Sequence, residues 1–320
     1  HSIQPFQPMK RLFHLEWRAM GCEVSIQLET EGDGHAILGV IPAQVESLEA
    51  RLSRFRPQSE LMEFNARAGE WVTVSDVLYA NLSAAKHAAR LTDGAFNPLV
   101  LPALIASGYD RTFAALTALE THRPIPAADW HGIELRSQPR EVRIPPGSGV
   151  DLGGSAKGWT AERIADDLAA SGACLVNFGG DLVARGAPHD QPGWQVTIVD
   201  PFSSAPLGSL WLCDASLVSS GVDFRRWMAK DGSAHHHIID PHTGRSVETN
   251  VLTVTVHHPS AVTAEAYAKA VLLRGADEGL HWLDTRWDAS GLVVRQDSAV
   301  LATPLFSSRF LSHSEQRIAL

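Results

Sequence analysis

The sequence has little cysteine, no run of more than two basic residues and no long apolar stretch. Its three cysteines lack the short spacing of a zinc or redox motif, so we expect no disulfide framework. Nucleic-acid binding needs clustered Lys and Arg, and 27 basic against 36 acidic residues argue against it. No segment approaches the roughly 18 apolar residues of a membrane span, and no signal-peptide core follows the N-terminus. We therefore expect a soluble protein without a transmembrane segment or nucleic-acid partner, cytoplasmic or exported with its leader removed.

What is present is enough apolar sequence for a large core. The chain has 320 residues, 44% of them hydrophobic, which suits one large domain or two packed ones. Strands in runs with helices inserted predict an α+β fold rather than an alternating parallel sheet. A proline-rich part, about 103–148, is expected to be a variable peripheral segment. The periodicity predicts helices over 36–53, 77–91, 156–170 and 261–273, and strands over 13–29, near 150, and over 174–178, 194–199, 209–212, 216–219 and 251–257.

The run from Asp151 to Gly158 places a carboxylate at a strand end, two glycines in a turn and Lys157 at the opening of a helix. Glycines let a ligand approach the backbone, and free N–H groups at a helix start suit a phosphate. The spacing of a P-loop is absent, and no Ser or Thr follows Lys157. Both phosphate binding and a tight turn needed only for packing remain open.

A second glycine turn, Gly179-Gly180 followed by Asp181, ends the next predicted strand. Alone it is typical of a hairpin corner. Because it comes one strand-helix unit after the first turn, the two turns could enclose one ligand.

Three adjacent histidines, His235 to His237, precede an Asp-Pro-His-Thr-Gly turn. In a strand His235 and His237 share a face while His236 points away, so a zinc site built from all three is geometrically poor. A hydrogen-bonded strand end is the plain interpretation. One imidazole placed to donate to a phosphate is the functional one.

Glu265 and Lys269 lie four residues apart on the predicted helix 261–273, so their side chains share one helix face. An exposed pair of this kind only stabilises the helix slightly. The residues around them are almost all small and apolar, which favours a helix packed against other elements.

Taken together, these motifs resemble those of the ApbE-type flavin transferases, the FAD:protein FMN transferase family. The similarity covers most of the chain in the family's order. The matching segments are Met20-Gly21, Ser53-Arg54-Phe55, Ser59-Glu60-Leu61, Asn65, Gly94-Ala95-Phe96-Asn97-Pro98, Asp151 to Gly158, Val176 to Asp181, Asp200-Pro201, Ser220-Gly221, His237 to Gly244 and the helix that carries Glu265.

The resemblance implies a single domain over 1–320, with a two-lobed fold that binds FAD between its lobes. It also implies cleavage of the FAD diphosphate with Mg²⁺, transfer of FMN to a Thr or Ser hydroxyl of an acceptor flavoprotein, and release of AMP. His237, Glu265 and Lys269 would be catalytic. The residues expected to bind the cofactor are Met20, Gly94, Ala95, Phe96, Asn97, Asp151, Ser155, Ala156, Lys157, Gly179, Gly180, Asp181, Asp200 and His237.

One departure bears on the metal. Where the family has an Asp and a Thr as magnesium ligands, this chain has Glu265 and Lys269, and an ammonium cannot coordinate a metal. We therefore expect weak or no Mg²⁺ binding at Glu265 and Ala156. The same departure keeps two alternatives open, an FAD-binding paralogue with lost or altered metal-dependent catalysis and an FAD pyrophosphatase.

Overall fold

The computed structural model describes residues 10–113, 123–223, 225–230 and 232–312, which form the α+β fold that the sequence predicts. The helices are α1 (Gly34–Gly39), α2 (Ile41–Leu52), α3 (Glu60–Asn65), α4 (Asp76–Leu91), α5 (Leu101–Ala106), α6 (Ala156–Ala169), α7 (Ala261–Arg274), α8 (Ala276–Asp284) and α9 (Pro304–Arg309). The strands are β1 (Arg11–Ala19), β2 (Cys22–Thr30), β3 (Val72–Thr73), β4 (Glu134–Ser137), β5 (Arg140–Arg143), β6 (Ala173–Phe178), β7 (Asp181–Arg185), β8 (Trp194–Val199), β9 (Pro206–Leu212), β10 (Ser216–Gly221), β11 (Arg226–Met228), β12 (Ala234–His236), β13 (Ile239–Asp240), β14 (Arg245–Ser246), β15 (Val251–His258), β16 (Ser290–Arg295), β17 (Val300–Ala302) and β18 (Leu311–Ser312).

Strands from both ends of the described chain meet in one large sheet. Its order is β1-β2-β6-β7-β10-β15-β16-β17, and every neighbouring pair is antiparallel. Smaller sheets have the orders β3-β5-β4 and β18-β9-β8, and two-stranded ribbons pair β11 with β12 and β13 with β14. Helices α6 and α7 contact the large sheet and each other. The sheet therefore fixes where the first residues of α6 and the middle of α7 lie.

Two large hydrophobic clusters meet at α7. The first packs α6 against the large sheet and includes Ala264 and Ala268, while the second surrounds α4 and includes Val262 and Ala266. Most residues of α7 are buried, with small side chains on all sides. A helix that is apolar all round belongs in a core. The charges of Glu265 and Lys269, in the middle of α7, are therefore held between the two hydrophobic clusters.

Two predicted elements are divided in the structure. The stretch 13–29, predicted as one strand, is the β1-β2 hairpin, because Met20 (φ 51°) and Gly21 (φ 71°) form a two-residue turn between Ala19 and Cys22. The stretch 36–53, predicted as one helix, is α1 followed by α2. Pro42 lies in the first turn of α2, where its missing N–H costs least, but it could not lie in the middle of a continuous helix.

The strand predicted near Val150 is also absent. The Val150 backbone N–H donates to the side-chain oxygen of Asn65 at 2.8 Å, and its carbonyl accepts from the Asn65 side-chain nitrogen at 2.9 Å. An amide side chain thus takes the place of a neighbouring strand. The segment 103–148, expected to be peripheral, contributes the buried Ile133 and Val142 to the second cluster. Its residues 114–122 lie outside the described part.

Among the described elements, the sequence patterns missed the helices α3, α5, α8 and α9 and the strands β3 to β5, β7, β11 to β14 and β16 to β18, which are short or lie beyond the helix taken as the last one. The interpretation as a single domain over 1–320 stays a prediction. In the part of the chain that the structure describes, no helix is long and apolar enough to cross a membrane.

The packing of β6 generates a stability prediction. Phe178 is fully buried and meets Trp17 edge-on, with the ring centroids 6.4 Å apart. Phe178→Ala should lower the free energy of unfolding by about 3–5 kcal/mol, because it leaves a cavity in the core. Trp287→Ala is the matched control, since Trp287 is 90% exposed, and its effect should stay within about 0.5 kcal/mol. Urea unfolding measures both, and equal effects would contradict the assigned core.

Candidate functional site

The turn that follows Val150 is anchored by a buried ion pair. Asp151 accepts from Arg54 at 2.6 Å, and the two side chains are only 5% and 6% exposed. The Arg54 guanidinium lies over the rings of Phe55 and Tyr109, 4.1 and 4.4 Å from their centroids. Its Nη2 is buried with no hydrogen-bond partner within the described residues. The pair fixes the glycine turn and leaves one buried donor available to a ligand.

The two glycine turns are joined by a lysine. Lys157, in the first turn of α6, donates to Asp181 at 2.6 Å. Asp181 begins β7 directly after Gly179 (φ 63°) and Gly180 (φ 100°), whose left-handed conformations make the tight β6-β7 turn. Burial opposes the charge on Lys157, but the carboxylates of Asp181 and Glu265 outweigh it and raise the pKa of this ammonium. Lys157 is therefore a permanent cation at neutral pH.

A second lysine pairs with Glu265 on α7. Lys269 donates to Oε1 of Glu265 at 3.0 Å across one helical turn, and the two side chains are 17% and 6% exposed. Burial favours the neutral form of Glu265, but Lys269 and Lys157 outweigh it and lower the pKa of this carboxyl. Oε2 is buried and has no hydrogen-bond partner in the described part. The pair interpreted from the sequence is thus a buried one, as the small neighbours indicated.

Gly154 makes room for Lys269. A Cβ at this position would lie 2.9 Å from Cε and 3.0 Å from Nζ of Lys269, so the end of the lysine side chain would have to shift. The Phe96 ring lies on the same side, with its centroid 5.8 Å from Nζ. The first glycine turn is therefore needed for the close approach of this ammonium.

The three adjacent histidines have three different surroundings. His235 stacks on Trp227, with the ring centroids 6.1 Å apart, and His236 contacts the backbone carbonyl of Val247 at 3.0 Å. His237 lies between β12 and β13, and its Nδ1 is buried without a partner in the described residues. Burial, with Arg225 and Lys269 nearby, lowers the pKa of His237 well below its usual value. The histidines do not converge on a metal, and His237 is a neutral imidazole.

These features surround one cavity of about 410 Å³. Its size is within the range of small-molecule sites. Nine of the residues predicted for the site line it, namely Ala95, Phe96, Asn97, Asp151, Lys157, Gly179, His237, Glu265 and Lys269.

Other predicted residues support the wall without lining it. Asp181 holds Lys157, and Met20 packs against both large clusters. Ser155 is buried at the start of α6, and its Oγ has no partner among the described residues. The remaining predicted residues outside the lining are Gly94, Ala156, Gly180 and Asp200.

Asp200 is not brought to the cavity. It lies between β8 and β9, where its carboxylate accepts from the Phe202 N–H and the Ser203 hydroxyl at 2.9 Å each. Its oxygens stabilise that turn, which explains an Asp before Pro201 without a ligand.

Several residues that line the cavity were not predicted from the sequence. Arg54 and Phe55 were in a matching segment, but nothing local showed that Arg54 would meet Asp151. Tyr109 comes from the proline-rich segment and Arg225 from the loop before β11. Arg225 has a positive φ of 50°, an uncommon conformation for a bulky residue, and its charge acts on His237. Only the fold brings these residues together.

The residues at Glu265 do not fit Mg²⁺. This ion demands near-octahedral oxygen ligands at about 2.0–2.1 Å. Here the carboxylate is already paired with an ammonium, and a unit charge about 4 Å from a divalent ion opposes it by several kcal/mol at an effective dielectric constant of 20. The described residues hold no group of three or more His, Cys, Asp or Glu side chains suited to a metal. Weak or absent Mg²⁺ binding at Glu265 and Ala156 stays a prediction.

Comparisons with known proteins give one result. The model of the ApbE family matches residues 20–292. The FAD:protein FMN transferase of Treponema pallidum (strain Nichols) is 31% identical over 290 residues, which cover 84% of this chain and 80% of that protein. The FAD:protein FMN transferase of Vibrio cholerae is 30% identical over 302 residues, covering 89% and 88%.

Solved structures share the fold. The crystal structure of the ApbE protein from Thermotoga maritima has a TM-score of 0.83 at 24% identity, covering 93% of this chain and 99% of that one. The flavin transferase ApbE from Vibrio cholerae has a TM-score of 0.77 at 24% identity, covering 95% and 100%.

The neutral state of His237 generates a pH prediction. The unfolded chain gains a proton at this histidine below about pH 6.5, whereas the folded chain resists it, so folding stability falls as the pH drops from 7 toward 5. His237→Gln should reduce the pH dependence of the free energy of unfolding in this range by about the uptake of one proton, because glutamine does not titrate. Urea unfolding between pH 5 and 7.5 measures it. The same substitution at exposed His281, on α8, is the control, and an unchanged slope in His237→Gln would contradict the assignment.

Proposed function

The chain belongs to the ApbE family, and on that premise we propose that it is an FAD:protein FMN transferase. Its substrates are FAD and an acceptor flavoprotein. The enzyme cleaves the FAD diphosphate, attaches FMN to a Thr or Ser hydroxyl of the acceptor and releases AMP. The observation that carries the proposal is the single cavity in which both glycine turns, His237 and the charged face of α7 meet.

The chemistry of the lining supports a dinucleotide with a diphosphate. Aromatic side chains of Phe55, Phe96 and Tyr109 offer flat apolar surface for ring systems. The cations Arg54, Lys157, Arg225 and Lys269 offer charge for phosphate oxygens. Flavin and adenine need the first kind of surface, and the diphosphate needs the second.

The first turn of α6 supports diphosphate binding in a second way. The N–H of Ala156 already donates to the Leu152 carbonyl at 2.8 Å, but within the described residues the N-cap Ser155 makes no side-chain capping bond to the N–H groups that follow. Helix starts of this kind attract anions. Because Gly153 and Gly154 precede it, a phosphate can approach this backbone closely.

Group transfer at the diphosphate requires a proton acceptor and stabilised negative charge. The acceptor hydroxyl oxygen forms a bond to the phosphorus on the FMN side. The bond from this phosphorus to the bridging oxygen breaks, and AMP leaves with the electron pair. The hydroxyl proton passes to a base, and neutral His237 is the candidate in this cavity. Lysine and arginine cations around the phosphates lower the barrier by meeting charge that develops on oxygen.

The test is incubation with FAD and flavoproteins that carry covalent FMN in their hosts, supplied in unmodified form. Mass spectrometry should show an FMN adduct on a Thr or Ser, with one AMP released per adduct. His237→Ala should slow adduct formation at least about 100-fold, since general bases contribute that much or more. His281→Ala, the same change on the exposed face of α8, is the control.

The two alternatives give different products in the same assay. FMN and AMP formed at equal rates without any acceptor would identify a pyrophosphatase. Stoichiometric FAD bound without AMP release under any metal would identify a binding protein. Either outcome, obtained with every acceptor tested, would contradict the proposed transfer.

A further inference from the structure

We propose that Lys269 serves as a built-in cation of this site, so that the protein binds its diphosphate ligand without a divalent metal. The inference rests on the proposed function, because it assumes that the ligand in the cavity is FAD. It follows from the finding that the residues around Glu265 do not fit Mg²⁺.

The position of Lys269 carries the first step. Its ammonium has one hydrogen bond within the described residues, at 3.0 Å to Oε1 of Glu265, and it has two further N–H donors. The side chain lines the cavity and is 17% exposed. Donors therefore face the space in which a ligand lies.

The neighbouring Lys157 also lines the cavity and is paired with one buried carboxylate, Asp181, just as Lys269 is paired with Glu265. The two pairs differ in that Glu265 itself lines the cavity, whereas Asp181 does not. Glu265 lies in reach of both lysine charges, and its own charge is balanced by Lys269 without another ion. The site is thus neutralised from within the chain.

Gly154 carries the second step, because the space for this ammonium is built by another element. A side chain at position 154 would collide with Cε and Nζ of Lys269. Glycine at the first turn therefore leaves room for the ammonium beside the same backbone that suits a phosphate. An ammonium there donates hydrogen bonds to phosphate oxygens as a point charge, the role that a divalent cation takes in other phosphate sites.

The experiment measures FAD affinity by isothermal titration calorimetry, once with EDTA and once with millimolar MgCl₂. The wild type should bind FAD with dissociation constants that agree within about twofold between the two conditions. Lys269→Met should weaken binding about 10- to 100-fold in EDTA, as the loss of a charge-assisted hydrogen bond does. Lys10→Met, an exposed lysine outside the cavity, is the matched control and should bind as the wild type does.

Two further variants separate a role in binding from a role in folding. Gly154→Ala keeps every charge but pushes Nζ from its place, and it should weaken FAD binding in EDTA while urea unfolding stays close to that of the wild type. Lys269→Thr replaces the ammonium with an oxygen ligand beside Glu265. In EDTA, its FAD affinity should be weaker than that of the wild type, and it should increase when Mg²⁺ is added. The FAD affinity of the wild type should not change with Mg²⁺.

Other outcomes contradict either the built-in cation or the proposed function. FAD binding by the wild type only with Mg²⁺, or equal binding by Lys269→Met in EDTA, overturns the built-in cation and leaves the proposed function intact. No FAD binding by the wild type in either condition overturns the proposed function, and this inference with it.

Discussion

A charged carboxylate that is buried beside a cavity needs a positive partner, and in this protein lysine side chains provide it. Glu265 is held by Lys269 and Asp181 by Lys157, with both carboxylates almost fully buried. Burial alone would drive each carboxyl toward its neutral form. Removing one partner of such a pair leaves an uncompensated charge, which is far costlier than losing a surface ion pair. The cavity therefore depends on the geometry that keeps each pair together.

That geometry comes from helices α6 and α7 and the sheet beneath them. Gly158 on α6 lies against Ala261 on α7, where an added Cβ would be 3.2 Å from the backbone carbon. The close packing brings Lys157 and Lys269 to the same cavity. Glu265 and Lys269 are the two residues of α7 that line this cavity, so they are what a ligand in it meets on this helix.

The sequence predicted the parts that local patterns determine. The helix over 156–170 is α6 to within one residue, and the strand over 174–178 is β6 with one residue added. The turn at Met20-Gly21 was missed because methionine is an unusual residue at positive φ, so the alternation was taken as continuous. The family resemblance identified much of the cavity lining, whereas Asp200 is used within its own turn.

Residues that no local pattern could find are those that meet across the chain. Arg54 follows α2, and its partner Asp151 precedes α6, so their contact joins two segments that are far apart in the sequence. The same holds for Tyr109, which packs on Arg54 from a segment that the sequence placed at the periphery. The departure at Lys269 was visible in the sequence. Its consequence for charge needed the 3.0 Å contact and the space at Gly154.

The most direct measurement is a crystal structure of the protein with FAD, grown in EDTA. The account predicts that the diphosphate lies in this cavity, with Nζ of Lys269 about 3 Å from one of its oxygens. His237 should border the phosphorus on the FMN side. FAD bound elsewhere, or a diphosphate that no lysine contacts, would contradict it.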